Sequence, residues 1–95
     1  MATIDIRRPH SLSKDEAKKR AEDLATELKS KLDLQWHWEG DVIRFEAPSG
    51  AARGTTGSVE VADSFVRVQV DLPFLLRMLK SKVESKVSEK LDRLL

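Results

Sequence analysis

His10 and His37 are the only histidines in the chain, and they are its best candidates for acid–base or metal chemistry. Neither keeps the company that such chemistry requires. A protein metal site draws on three or four ligands at defined spacings, and here there is no cysteine and no histidine spaced to a carboxylate in that way. His10-Ser11 sets an imidazole beside a hydroxyl, yet a nucleophile–base pair is defined by hydrogen-bond geometry and not by adjacency in sequence. The local role is to shape the approach to a helix cap. A pocket enclosing His10, with a carboxylate within hydrogen-bond reach, would restore a catalytic or ligand-binding reading. Gly50, Gly54 and Gly57 fall short of a phosphate loop, which needs Gly-Lys-Ser/Thr opening a helix. They lead into a strand instead and read as a longer, mobile hairpin loop. Trp36, Trp38 and Phe45 have the ring faces that single-strand-binding sheets use to stack bases. But Trp36 and Trp38 alternate with polar residues and share a face with Leu34, a pattern that favours core packing. The expectation is a protein that is not an enzyme, with no catalytic residue, no cofactor and no metal.

The remaining candidate chemistry is apolar and lies near the C-terminus. Leu76, Leu79, Val83, Val87, Leu91 and Leu94 recur at the helical period and form one stripe. With Leu76 at 0°, Phe74 falls at about 160° and Met78 at about 200° for the roughly 100° turn per residue of an α-helix. With Leu75 at the stripe's edge, they widen the apolar surface of the first turns. Phe74, Leu75 and Met78 are therefore the candidate interaction patch. A loop or the first helix covering them is the equal alternative. The six basic and three acidic side chains between Pro73 and Leu95 leave this segment at +3. Such a helix can lie on an anionic surface, although its lysine stems can equally flank a buried stripe.

The elements that must position these residues are readable. The chain has 95 residues, 40% hydrophobic and 35% charged, which is one globular domain spanning 1–95. Seventeen basic and sixteen acidic side chains nearly cancel, so no strong field draws the chain to nucleic acid. No stretch approaches the roughly 20 apolar residues of a membrane span, and no signal peptide is visible. The expected location is cytoplasmic. Ala2 to Arg8 alternates around Ile4 and Ile6 as a strand closed by Pro9. Ser13 followed by Glu16 is a capping-box pattern, opening a helix from about Lys14 to Leu32 whose stripe is Ala17, Ala21, Leu24, Leu28 and Leu32. Strands follow around Trp36, around Ile43 and Phe45, over about Thr55 to Val61, and from Phe65 to Leu72. Glu39-Gly40-Asp41 is a tight turn with glycine available for a left-handed position. Pro73 then starts a helix running to the C-terminus, roughly 33 Å long at 1.5 Å per residue.

The order is β-α-β-β-β-β-α. Each strand has one apolar face, which predicts an α+β fold with a mostly antiparallel sheet and both helices packed on one side. If the first two strands are neighbours, the helical crossover makes them parallel.

Several short motifs resemble the small bacterial proteins of the polyhydroxyalkanoic acid system family. They are Ile4-x-Ile6, Pro9-His10-Ser11-Leu12, Glu16-Ala17, Trp38-Glu39-Gly40-Asp41, Leu72-Pro73-Phe74-Leu75-Leu76 and Leu91-Asp92-Arg93-Leu94-Leu95. The resemblance implies a setting more than a mechanism: a link to polyhydroxyalkanoate synthesis and to storage granules, with no catalytic residues to carry over. The expected partners are the granule surface or granule proteins. A generic homodimerisation domain unrelated to granules is the alternative.

Overall fold

The computed structural model describes residues 3–50 and 52–95, the side chains of Lys31 and Leu32 excepted. The predicted strand start at Ala2 and the stripe position Leu32 therefore lie outside what is described. The elements are β1 (Ile4–Pro9), α1 (Lys14–Leu32), β2 (Gln35–Glu39), β3 (Val42–Glu46), β4 (Thr56–Val61), β5 (Phe65–Asp71), a 3-10 helix (Phe74–Leu79) and α2 (Lys80–Leu94).

Helix α1 starts where its capping residue dictates. The Ser13 hydroxyl accepts a hydrogen bond from the Glu16 amide at 3.2 Å, satisfying one of the amides that a helix leaves unpaired at its first turn. The Glu16 carboxylate turns outward to Arg20 at 3.1 Å, an i,i+4 pair. The helix ends at Asp33 in the left-handed region, its amide bonded to the Lys29 carbonyl. Ala17, Ala21, Leu24 and Leu28 are buried as their spacing predicts, and Ala25 joins them.

All strand pairs are antiparallel, in the spatial order β1-β5-β4-β3-β2. The first two strands are thus the two edges of the sheet, and α1 crosses from one edge to the other. No parallel pair arises, because β1 takes β5 as its neighbour. The register places whole rows of side chains on the covered face. One row runs Ile6, Val68, Val59, Ile43, Trp38 and the next runs Ile4, Val70, Gly57, Phe45, Trp36. Both helices close this face. Each fully enclosed Ile, Leu or Val there contributes about 1.5–3 kcal/mol relative to exposure. On the opposite face Arg67 grips Asp5 through two bonds of 2.9 and 2.6 Å, and the Arg7 guanidinium lies 3.8 Å from the centre of the Phe65 ring.

Gly57 interrupts its apolar row for a steric reason. A Cβ there would stand 2.4 Å from Phe45 Cζ and 2.4 Å from the Gln69 carbonyl oxygen. The Phe45 ring occupies the space that a side chain would need. Gly57 is therefore a strand residue under an aromatic ring and not part of a loop. The segment before it is also tied down. Ala47 and Thr55 bond backbone to backbone at 2.8 Å, and Gly54 donates to Ala47 at 2.9 Å. Gly40 takes the positive φ expected of it, at the first position of the two-residue turn between β2 and β3.

The tryptophans lie on the core face, as expected, but are only half-buried, because β2 is an outer strand with nothing beyond it. Helix α1 compensates in part: Trp38 Nε1 donates to Glu22 at 2.8 Å, and Lys18 Nζ sits 4.8 Å from the centre of the Trp38 ring.

Candidate functional site

The single long C-terminal helix predicted from Pro73 is two pieces. Pro73 is extended, with φ −63° and ψ 158°, and offers no capping side chain. Phe74–Leu79 then forms a 3-10 helix, and the α-helix starts only at Lys80. Fifteen α-helical residues span about 22 Å, close to the length of a typical strand, so the predicted 33 Å rod is replaced by a shorter element over the sheet.

The change of helix type decides what the patch presents. At three residues per turn, side chains three apart eclipse each other. By this spacing Leu76 and Leu79 share one side, Leu75 and Met78 a second, and Phe74 and Arg77 a third. No residue of the 3-10 helix is buried. Phe74, Leu75 and Met78 are 81%, 82% and 86% exposed, and Leu79, placed in the buried stripe by its spacing, is 43% exposed. Neither α1 nor a loop covers the patch. A six-residue 3-10 run is longer than most, and it sits at the N-terminal end of α2, a common place for this geometry. Lys80 and Lys82, which follow the patch, are exposed and form no ion pair among the described residues.

Beyond the patch, α2 is firmly docked. Val87 and Leu91 are buried, with Val83 and Leu94 half-buried against the core. Its polar flank is latched to both neighbours: Arg8 reaches Asp92 at 3.2 Å and also bonds Ser88, while Lys90 and Arg93 meet Glu27 of α1. The Arg93 hydrogen bond holds the Glu27 carboxyl below its ordinary value. Part of the basic character read from the sequence is thus spent inside the fold.

Between the 3-10 helix, the start of α2 and the sheet lies an apolar cavity of about 130 Å³. Leu28, Phe45, Thr55, Leu76, Leu79 and Val83 are among its walls. Thr55 is the one buried polar residue among those described, 3% exposed, and its hydroxyl has no hydrogen-bond partner. Sequence reasoning missed it, although Thr55 shares the strand parity of the inward Val59 and Val61 and Thr56 does not.

The other candidates resolve into structural roles. His10 Nδ1 accepts from the Leu12 amide at 3.1 Å, so its Nε2 donates to the Ala62 carbonyl at 2.9 Å. Both ring nitrogens are engaged by backbone, and the imidazole ties the entry of α1 to the β4–β5 turn. No carboxylate shares its hydrogen bonds, and Ser11 is exposed. His37 is exposed on β2 and meets Glu39 at 3.0 Å, with Arg44 on the same carboxylate at 3.3 Å. No group of three or more histidine, cysteine, aspartate or glutamate side chains suited to a metal ion occurs among the described residues, and no helix there is long and apolar enough to cross a membrane.

The chain belongs to the family described as putative polyhydroxyalkanoic acid system protein (PHA_gran_rgn), whose model matches residues 4–95. No curated protein and no solved structure matches it.

Proposed function

From this family membership and the uncovered patch, we propose that the protein is a non-enzymatic accessory of polyhydroxyalkanoate storage that attaches to the granule surface or to a granule protein through Phe74, Leu75 and Met78. The exposure of these three large apolar side chains on one short segment carries the reading. Scattered exposed apolar residues need no explanation, but here the exposed large apolar side chains gather within the six residues Phe74–Leu79, which supports a contact surface.

Three such side chains offer roughly 450 Å² of apolar surface, at about 150 Å² each. Burying half of it contributes about 5–6 kcal/mol at 25 cal/mol per Å². Set against the cost of immobilising the protein, that supports weak, reversible attachment. It falls short of the roughly 800 Å² per partner that a stable protein dimer buries, which is why a surface is preferred to a second copy.

The test is a fluorescent fusion in granule-forming cells. The wild type is expected to mark granules and Phe74→Ser/Met78→Ser to become diffuse. Because both side chains are already in solvent, the double variant keeps its fold, with stability changed by no more than about 0.5 kcal/mol. A diffuse wild type, or a variant that still marks granules, defeats the proposal. Light scattering addresses homodimerisation, which a concentration-independent monomer removes.

A further inference from the structure

Thr55 raises a question that the surface patch does not answer. A buried hydroxyl without a partner is an uncommon and costly feature in a native fold, and each instance calls for a reason. This one belongs to the wall of the cavity beneath the 3-10 helix, where Leu28, Phe45 and Val83 supply apolar surface and no other buried polar group is described. The volume of about 130 Å³ is close to that of apolar protein cavities, about 150 Å³, that stay dry and take up benzene. Leu76 and Val83 are half-buried and Leu79 is 43% exposed, so the wall on the side of the 3-10 helix reaches the surface. That wall carries no side-chain cap at either helix junction and contains no buried residue, so few interactions oppose its displacement.

We propose that this cavity is a binding site for one free small molecule of about six or seven non-hydrogen atoms, mostly aliphatic and bearing a hydrogen-bond acceptor, of which a short-chain ester is the type. The hydrocarbon part occupies the space between Leu28, Phe45 and Val83. Once the wall gives way, the acceptor oxygen accepts a hydrogen bond from the Thr55 hydroxyl, a donor sealed and unpartnered in the closed fold. Entry is past Leu76 and Leu79. The site is distinct from the outward patch and does not rest on it: a protein that ignores granules yet binds the ester keeps this site, and one that marks granules without binding the ester loses it.

The probe is methyl butyrate, titrated into the full chain while the methyl groups of Leu76, Leu79, Val83 and Val87 are followed by NMR. A saturable shift confined to the cavity methyls is expected. Thr55→Val, which keeps the shape and removes the hydroxyl, is expected to weaken methyl butyrate about three- to tenfold, the worth of one neutral hydrogen bond. The same variant should bind cyclopentane, which has no acceptor, as the wild type does. Val83→Phe, which fills the cavity, should abolish both. The proposal is overturned if the wild type shows no saturable shift, if Thr55→Val binds methyl butyrate as tightly as the wild type, or if it loses cyclopentane in equal measure.

Discussion

Replacing Gly57 by alanine asks how tightly the sheet and the cavity wall are locked together. The new Cβ would meet Phe45 Cζ at 2.4 Å, Phe45 Cε1 at 2.8 Å and the Gln69 carbonyl oxygen at 2.4 Å, where real contacts essentially never fall below 3.0 Å. A flexible side chain could step aside, but Phe45 is buried and the Gln69 carbonyl belongs to the neighbouring strand. Overpacking of this kind costs about 1–3 kcal/mol, and contact with backbone as well as ring puts it near the top of that range. Alanine recovers about 0.4–1 kcal/mol by restricting the unfolded chain. The net expectation is a loss of about 2 kcal/mol, or a fall in Tm of about 8–16 °C for a domain of this size. Thermal unfolding followed by circular dichroism measures it. Phe45→Leu in the same background vacates part of the ring's space and should recover at least about 1 kcal/mol in a double-mutant cycle. A Gly57→Ala protein melting within about 2 °C of the wild type, or a cycle with no coupling, would refute the steric account.

Two further outcomes follow from other parts of the fold. Thr55→Val removes the unpartnered hydroxyl while keeping volume, so unfolding should shift upward by about 1 kcal/mol or more; a lower Tm would mean that the hydroxyl already has a partner. Asp5, Glu27 and Asp41 are held below their ordinary carboxylate values by hydrogen bonds from Arg67, Arg93 and Lys14 respectively. Groups lowered in this way add stability above their ordinary values of 3.8 to 4.5, and that contribution fades as the pH falls through the lowered ones. Lys14, raised by Asp41, keeps its contribution until the pH climbs past its ordinary 10.5. The urea midpoint should therefore be flat near neutrality and decline below about pH 4, less steeply in Asp41→Asn than in the wild type; parallel acid profiles for the two proteins would contradict this.

Much of the architecture was legible because period and punctuation agreed. Ser13, Glu16 and the alanine–leucine stripe define α1 to its ends, and the alternation from Phe65 to Leu72 defines β5 and its buried side. What escaped was set by neighbours distant in sequence. Leu76 and Leu79, three apart, satisfy an α-helix and a 3-10 helix equally, and only contact with the sheet separates them. That ambiguity hid the break at Lys80 and the exposure of Leu79. The patch of Phe74, Leu75 and Met78 could be named from its off-stripe placement, but whether anything covered it depended on where α1 lay. Trp36 and Trp38 read as core because alternation reports a face and not a position within the sheet, and β2 proved to be an edge. Gly57 read as loop and Thr55 as the unremarkable start of a strand, because their significance lies in Phe45 and in the wall of the cavity, residues distant in sequence.

The strand order also fixes when the sheet can be finished. β2, β3, β4 and β5 follow one another as neighbours joined by turns or a short tied-down segment, so each can pair as soon as the next is made. β1 is different: among the described residues its one strand partner is β5, and the Asp5–Arg67 clamp joins residues 62 apart. β1 precedes β5 along the chain yet gains its ladder only with it, and until Phe65–Asp71 exists its Ile4 and Ile6 have no sheet to join. A chain cut short before β5 thus loses two adjacent strands from one side of its sheet, the strand it lacks and the edge strand it cannot place, while the β2 edge remains.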